Sequence, residues 1–178
     1  MRAVALVAHP DDCAIFAWPF IEAHPEFTWE IVYLTYRTYE PRALEVATYW
    51  ANRNIPTKFL GYVDNYQDML DDQLSFSIPE ALASIMNEVN ADLVLTHFED
   101  GDYGHIHHKF VNGAARQLDI PKVYFASTFN YNTEYTVSVP VNTEELPLHR
   151  DVIEQFADRN VGRYIVTPEA ETLLKKNK

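Results

Sequence analysis

Short apolar runs alternate with amphipathic helical patterns along the first two thirds of this chain. In the second of these helical patterns, Leu44, Ala47, Thr48 and Ala51 recur at three- and four-residue spacing. Such alternation is typical of βαβ units, whose strands pair in parallel and whose helices cover the sheet. We therefore predict an α/β fold, a Rossmann-like three-layer sandwich with a mainly parallel sheet. The predicted strands are residues 4–8, 31–36, 58–60, 93–96 and 123–126, and the predicted helices are residues 12–23, 41–52, 79–89 and 106–118.

The pattern weakens towards the C-terminus. Val137, Val139 and Val141 alternate like a strand, and residues 144–158 and 168–174 have helical spacing. Residues 64–72 are polar without a usable period, so we expect a loop there that reaches over the strand ends. A length of 178 residues suits one domain. We therefore expect residues 1–178 to form a single domain.

The composition of the chain excludes some classes of binding partner and favours one type of cellular compartment. The formal net charge of −12 argues against binding to the phosphate backbone of nucleic acid, which requires a basic face. The longest apolar stretch, residues 13–21, is interrupted by Pro19 and is far too short to span a bilayer. Cys13 is the only cysteine, which excludes an internal disulfide and favours a reducing compartment. The sequence therefore predicts a soluble, cytoplasmic protein. A homo-oligomer is also possible, because aromatic residues such as Tyr131 and Tyr135 could form an interface between subunits or the rim of a substrate site.

Two clusters of polar residues lie beyond the ends of predicted strands. His9, Pro10, Asp11 and Asp12 come after residues 4–8, and the second cluster, residues 104–108, contains three histidines and follows residues 93–96. Because the carboxyl ends of parallel strands share one edge of the sheet, the two clusters can converge. Two histidines and one aspartate, with a spare carboxylate alongside, suit a catalytic zinc that keeps its fourth position open for water.

Each feature alone has an ordinary structural explanation. His9 could be a core histidine, Asp12 could cap the helix that it begins, and the histidine-rich segment could be a solvated loop. The joint occurrence of complementary ligands on two converging loops favours a site.

The stretch Ala8, His9, Pro10, Asp11, Asp12, together with Gly104, His105 and His108, resembles the zinc-dependent N-acetylglucosaminyl deacetylases of the PIG-L and LmbE type. Arg42 with Glu45, and residues 59–62 followed by Asp64, are similar to the middle segments of that family. The resemblance covers residues 3–117.

The resemblance implies a role for each matching residue. His9, Asp12 and His108 would bind the metal, and Asp11 would be the general base. His105 would stabilise the tetrahedral oxyanion as a donor or protonate the leaving amine, and Tyr103 would donate to the same oxyanion, unless it is an ordinary surface tyrosine.

Arg42 and Asp64 would bind sugar hydroxyls, which suits a multidentate donor and a carboxylate acceptor. The alternative for Arg42 is an intrahelical pair with Glu45 at i,i+3 spacing.

The chain departs from the family at two places. Cys13 stands where the family usually has an acidic residue, and Ile106 and His107 stand where it usually has Pro and Asp. A carboxylate next to the His105 position normally raises the basicity of that imidazole, and Asp100 and Asp102 are the candidate substitutes. We expect His105 to face the open metal position and His107 to point away from it, because residues two apart on a helix lie on different faces.

These inferences predict a metal-dependent N-deacetylase that acts on an N-acetylglucosamine-type conjugate, a small-molecule substrate. Zinc is the first choice of metal, and iron or manganese also suits the donors. The alternatives are an amidase for a non-sugar or thiol-sugar amide, a metal-dependent phosphoesterase, and a catalytically inactive metal-binding module. The adjacent Asp11 argues against the last, since a purely structural metal site has no use for it.

Overall fold

The computed structural model describes residues 1–126, 135–138, 141–157 and 161–177. Seven strands form one sheet with the spatial order β3-β2-β1-β4-β5-β7-β6. The strands are β1 (Arg2–Val7), β2 (Thr28–Thr35), β3 (Thr57–Tyr62), β4 (Leu93–Thr96), β5 (Lys122–Phe125), β6 (Tyr135–Ser138) and β7 (Val161–Val166).

The first five strands are parallel, and β7 joins β5 antiparallel with β6 outside it. The predicted α/β fold with a mainly parallel sheet is therefore confirmed. The chain leaves β1 towards β2 on one side and later returns to β4 on the other. The crevice between the ends of β1 and β4 is thus a topological switch point, where open α/β sheets place their ligands.

Helices cover both faces of the sheet. The α-helices are α1 (Pro10–Asp12), α2 (Trp18–Ala23), α3 (Pro41–Ala51), α4 (Tyr66–Asp71), α5 (Ile78–Glu88), α6 (Gly101–Gly104), α7 (Ile106–Ala115), α8 (Arg150–Ala157) and α9 (Pro168–Lys176).

Alternate residues of the central strands enter two cores. On one face Val4 and Leu6 of β1 pack with Ile85 of α5 and Val111 of α7. On the other face the core is closed by α2, α3, α8 and α9, with large side chains such as Trp50. Central strands buried on both faces explain the nearly continuous apolar runs in the sequence.

The structure differs from the sequence prediction in three elements. Residues 64–72 contain α4 and are not only a loop, β7 was not predicted, and the predicted first helix is divided by a π-helical turn, Cys13–Ala17. The strand expected around Val137 is β6, while Val139, Asp158 and Tyr131 lie outside the described residues.

Tyr135, suggested from sequence for an interface or a substrate rim, is half-buried, and its hydroxyl is hydrogen-bonded to Nε2 of His24. Within the described part of the chain, no helix combines the length and apolar character needed to cross a membrane.

Candidate metal centre

The first polar cluster is held in place by a tight turn at the end of β1. The backbone N–H of His9 donates to Asp12 Oδ2 at 2.7 Å, which ties the carboxylate back to the strand end. Pro10 occupies the first helical position, where its missing N–H costs nothing. The π-helical turn that follows Asp12 is a feature often found at functional sites. His9 and Asp12 are both buried.

The second polar cluster begins α7. Gly104 has φ +95°, a conformation that favours glycine, and it turns the chain into the helix. His105 is the N-cap of α7 and accepts a hydrogen bond from the backbone N–H of His107 through Nδ1 at 3.2 Å. His107 and His108 therefore lie in the first helical turn, and both are fully buried.

The predicted ligand residues converge at one point. His9 Nδ1 lies 3.2 Å from His108 Nε2 and 3.3 Å from Asp12 Oδ2, and His108 Nε2 lies 3.3 Å from Asp12 Oδ1. Donors at bond lengths of 2.0–2.1 Å around a tetrahedral zinc are about 3.3 Å apart. The donor set therefore fits a small divalent cation, and ligation by these three residues stays a prediction.

The carboxylate of Asp102 is hydrogen-bonded to the Nδ1 atoms of two imidazoles, on the side away from the centre. Its Oδ2 accepts from His108 Nδ1 at 2.8 Å and also contacts His97 Nδ1. Asp102 is a buried non-glycine residue at φ +66°, a sparsely populated conformation that functional sites often retain. A carboxylate on the far nitrogen fixes the tautomer of a metal-binding histidine, so His108 presents Nε2 to the centre.

His97 was not among the predicted site residues, although it directly follows β4. The backbone N–H of Ala8 donates to His97 Nε2 at 3.1 Å, while Nδ1 faces Asp102. Both ring nitrogens of His97 are thus occupied. Although Asp12, His97 and His108 also form a close group of potential metal ligands, His97 has no lone pair left for a metal and is better placed to support Asp102.

Charge at the centre favours an ionised carboxylate. Burial opposes ionisation of Asp12, but the imidazoles of His108, His9 and His97 outweigh it and hold its pKa well below the usual value. An anionic oxygen between two imidazoles is what a cation site requires.

His105 and Tyr103 lie at the outer side of the centre. The His105 ring lies 4.5 Å from that of His9 and stacks on that of His108 at 4.8 Å. Burial, with the neighbouring imidazoles, lowers the pKa of His105 to about 3. The expectation that Asp102 serves His105 is wrong, since the Asp102 carboxylate bonds His97 and His108, while the same role for Asp100 stays a prediction. Tyr103 is 46% exposed, its ring lies 5.1 Å from that of His108, and burial raises its pKa.

His107 does not point away from the centre, contrary to the prediction. Its Nδ1 lies 3.0 Å from His9 Nε2, and its Nε2 lies 2.9 Å from Asp68 Oδ2. The helical-face argument fails because His105 precedes the helix with an extended backbone. His107 and His108 are then adjacent first-turn residues, which contact His9 from two sides. Neither Asp68 nor the role of His107 was predicted.

Arg42 lies beside the predicted base. One guanidinium nitrogen is 3.2 Å from Asp11 Oδ2, Nε donates to His149 Nε2 at 3.3 Å, and another nitrogen donates to the Tyr36 hydroxyl at 3.3 Å. Tyr36 in turn donates to Asp64 Oδ2 at 3.1 Å, and Asp64 Oδ1 lies 3.5 Å from His9 Nε2. The structure thus brings Arg42 and Asp64 to the centre, linked by Tyr36.

Glu45 accepts from the backbone N–H of Leu148 at 2.8 Å and contacts His149 Nδ1 at 2.6 Å. Glu45 therefore supports Arg42 through His149 and is not its intrahelical partner. His149 lies in a 3₁₀ turn, Pro147–His149, in the part of the chain where the sequence pattern was weak, and sequence reasoning missed it.

A pocket of about 190 Å³ opens next to Asp64, at the ends of β2 and β3. Tyr36, one of its lining residues, has φ +67°, an outlier for an aromatic residue. Its lining residues are Tyr36, Arg37, Tyr39, Glu40, Gly61, Tyr62, Val63 and Asp64.

Cys13 takes no position in the centre. It is fully buried, and burial raises the pKa of its thiol well above the usual value. A neutral thiol is a poor metal ligand, so the departure at this position does not add a donor.

Solved structures with a similar fold include two deacetylases and one hydratase. N,N'-diacetylchitobiose deacetylase from Pyrococcus horikoshii has a TM-score of 0.63 at 13% identity, covering 94% of this chain and 84% of the other. The zinc inhibited form of teicoplanin deacetylase Orf2 has a TM-score of 0.55 at 13% identity over 88% and 84%. The 4-carboxy-2-hydroxymuconate hydratase GalB from Pseudomonas putida KT2440 has a TM-score of 0.57 at 13% identity over 89% and 76%.

At these identities the likeness shows the fold alone, and the hydratase illustrates that one fold can carry different reactions. No curated protein sequence matches this chain. The family model described as GlcNAc-PI de-N-acetylase, PIG-L, matches residues 4–118, which include both polar clusters and more than half of the sequence. The chain therefore belongs to the PIG-L family.

Proposed function

We propose that this chain is a metal-dependent N-deacetylase, which hydrolyses the acetamide of an N-acetylglucosamine-type sugar conjugate. The observation that carries the proposal is the convergence of His9 Nδ1, Asp12 and His108 Nε2 at 3.2–3.3 Å from one another, with Asp11 alongside. Membership of the PIG-L family and the two deacetylases of similar fold support the reaction class.

His9, Asp12 and His108 would hold one divalent ion and leave at least one position open. Zinc is the proposed metal because two imidazoles and one carboxylate are a common catalytic set for it, and Fe²⁺ or Mn²⁺ also suits these donors. When bound, such an ion polarises a carbonyl oxygen and lowers the pKa of a bound water to about 7.

Asp11 is the proposed general base. It accepts the proton that the attacking water gives up as the new C–O bond forms. The guanidinium of Arg42 lies 3.2 Å from Asp11 Oδ2 and helps to hold this carboxylate in position beside the centre. As the C–N bond breaks, Asp11 passes this proton to the departing amine nitrogen, so that acetic acid and a free amine result.

His105 is the proposed donor to the developing oxyanion. Its Nδ1 accepts from the backbone of His107, so in the neutral ring the proton is on Nε2. With a pKa of about 3 the ring is neutral at physiological pH. The His105 ring is therefore better suited to act as a neutral hydrogen-bond donor than as a cationic acid. Tyr103, at the exposed rim, is the proposed second donor.

Arg42, Tyr36 and Asp64 are the proposed contacts for sugar hydroxyls. Together they offer guanidinium donors, a hydroxyl and a carboxylate acceptor, the groups that polyols need. Glu40 and Asp64 line the neighbouring pocket beside Arg37, so it lacks the basic character of a phosphate clamp. This composition favours a neutral sugar conjugate over a phosphoester and suits the acidic net charge.

The direct test measures acetate and amine release by zinc-loaded protein over a panel of N-acetylated sugars, with Asp11→Asn as the inactive control. We expect release from at least one N-acetylglucosamine derivative. Cleavage of non-sugar amides alone would favour the amidase alternative, and cleavage of phosphoesters alone would reject the amide reaction. A fully metallated protein that cleaves none of these would reject the enzyme proposal in favour of a binding module.

A further inference from the structure

His107 and Asp68 form a second layer behind His9, on the side of its Nε2 atom. His9 Nε2 lies 3.0 Å from His107 Nδ1, and His107 Nε2 lies 2.9 Å from Asp68 Oδ2. All three side chains are at least nine-tenths buried. The two hydrogen bonds connect α4 to the end of β1 through the first turn of α7.

The carboxylate that ends this chain of contacts is itself firmly held. Asp68 Oδ2 accepts from both the backbone N–H and the hydroxyl of Ser75 at 3.0 Å. Burial opposes ionisation, but the hydrogen bonds from His107 and Ser75 outweigh it and lower the pKa of Asp68. Phe76 packs against the His107 ring, with centroids 5.7 Å apart. The acceptor and the ring that bonds it therefore have fixed positions.

The order of donors and acceptors determines where the protons lie. An ionised carboxylate only accepts, so His107 donates to Asp68 from Nε2. A neutral His107 then has a lone pair on Nδ1, which accepts from His9 Nε2–H. His9 is left with its lone pair on Nδ1, and Nδ1 is the atom that faces Asp12 and His108 at 3.2–3.3 Å.

We propose that Asp68 and His107 are positioning residues that fix the ring orientation and tautomer of His9, so that Nδ1 is available as a metal ligand. This inference rests on the proposed metal centre. It assigns to α4 a role that could not be expected from sequence, since Asp68 lies in a segment without periodicity. Outer partners of this kind typically contribute 10–100-fold to metal affinity or activity.

The same atoms allow one competing arrangement, a second metal held by His9 Nε2, His107 Nδ1 and Asp64 Oδ1. These donors are unevenly spaced at 3.0, 3.5 and 3.9 Å. If His9 also bound the first metal, this arrangement would require it to lose the protons from both nitrogens. A hydrogen bond at 3.0 Å satisfies both rings without that loss. The geometry therefore favours the chain of hydrogen bonds from His9 through His107 to Asp68, which we call the relay.

The first measurement is the tautomer of each histidine in the metal-free, full-length protein, by long-range ¹⁵N–¹H correlation NMR. The relay predicts that His9 and His107 both carry their proton on Nε2. A His9 ring protonated on Nδ1 would overturn the proposal whether or not the protein hydrolyses any amide.

The second measurement is zinc affinity by chelator competition. His107→Phe fills similar space without an acceptor, and we expect it to weaken zinc binding by about 10–100-fold. His107→Gln can accept from His9 with its oxygen and donate to Asp68 with its nitrogen, so it should retain affinity within a few-fold. His24→Phe is the matched control, since His24 is another buried histidine that bonds a carboxylate away from the centre.

Asp68→Asn tests the carboxylate without removing its volume, and Asp71→Asn on the exposed side of α4 is its control. We expect Asp68→Asn to weaken zinc binding and Asp71→Asn to leave it unchanged. Equal zinc affinity of Asp68→Asn, His107→Phe and the original protein would overturn the relay while leaving the proposed function intact. Two zinc ions per chain, with the second lost in Asp64→Asn, would replace it with the second-metal arrangement. Correct tautomers in a protein that binds no zinc would instead reject the proposed function.

Discussion

Among the described residues, the metal centre and a cluster around His24 both pair buried histidine with carboxylate; they look alike locally and differ in one respect. At the centre, His9 and His108 are held by hydrogen bonds to their far nitrogens and keep their near nitrogens facing Asp12. In the second cluster, which we call the His24 cluster, Nδ1 of His24 contacts Glu26 Oε1 at 2.9 Å and Nε2 contacts the Tyr135 hydroxyl at 2.8 Å.

Both nitrogens of His24 are therefore satisfied, and its ring stacks on Phe27 with an interplanar angle of 8°. This cluster attaches β6 to the end of α2 and has no lone pair directed at a shared point. Burial and a carboxylate neighbour thus do not distinguish a candidate metal ligand from a structural histidine. The distinguishing feature is a ring nitrogen left unbonded within about 3.3 Å of other unbonded donors.

The largest expected effect separates the two clusters completely. His9→Ala and Asp12→Ala each remove one of three ligands, so we expect the chain to lose stoichiometric zinc and all hydrolytic activity. His24→Ala removes the hydrogen bonds from His24 to Glu26 and Tyr135 and should lower the free energy of unfolding by about 1–3 kcal/mol, with zinc content unchanged. Metal analysis after dialysis, beside thermal unfolding, measures both. Zinc loss in His24→Ala at a temperature where it is folded would contradict the comparison.

Asp11→Asn should have the next largest effect. It removes the proposed base and leaves the three ligands, so the zinc content should stay at one per chain while kcat falls by about 100- to 10,000-fold. Steady-state rates on an N-acetylated sugar, with zinc measured on the same samples, provide the test. Full turnover by the variant would show that Asp11 is not the base.

His105→Ala removes the proposed oxyanion donor, and we expect kcat to fall by about 100- to 1,000-fold with KM little changed. Tyr103→Phe, at the exposed rim, should cost less. A rise in KM of similar size with kcat unchanged would mean that His105 binds the ground state and the transition state equally and does not act specifically on the oxyanion.

Arg42→Ala should mainly weaken substrate binding. Loss of hydrogen bonds from a charged donor costs about 1.5–3 kcal/mol, which corresponds to a rise in KM of about 10- to 100-fold. A fall in kcat should accompany it, because Arg42 also pairs with Asp11. Arg53→Ala is the control, since Arg53 pairs with Glu145 at 2.9 Å and packs over Tyr49 away from the centre. An unchanged KM in Arg42→Ala would reject Arg42 as a substrate contact.

The smallest effect concerns His149, a buried histidine outside both clusters. Burial lowers its pKa below the ordinary 6.5, with the nearby guanidinium of Arg42 opposing the bond to Glu45. As the pH falls, His149 therefore takes up a proton in the unfolded chain before it does so in the folded protein. The free energy of unfolding should then decrease below pH 6.5, and this one group contributes at most about 1.4 kcal/mol per pH unit. His149→Gln should flatten the profile of denaturant unfolding between pH 7 and 5. An identical slope in the variant would show that His149 does not contribute.

Much of the frame of the site follows from local sequence. The apolar runs before His9 and before His97 are strands, and parallel strands end at one edge, so the convergence of His9, Asp12 and His108 could be predicted. The second layer could not. Asp68 and His149 reach the centre through contacts between segments distant in the chain, and nothing in their neighbours' pattern indicates where they point. His107 was misplaced because its orientation depends on where α7 begins, a boundary that periodicity does not fix.

The central claim is that His9, Asp12 and His108 hold one divalent ion and leave at least one of its coordination positions open. Anomalous diffraction from crystals of the zinc-loaded protein tests it most directly. We predict a single strong peak within about 2.0–2.2 Å of His9 Nδ1, an Asp12 carboxylate oxygen and His108 Nε2. A peak bound instead by His97, or by His9 Nε2 with His107 and Asp64, or no ordered metal among these residues, would contradict the claim.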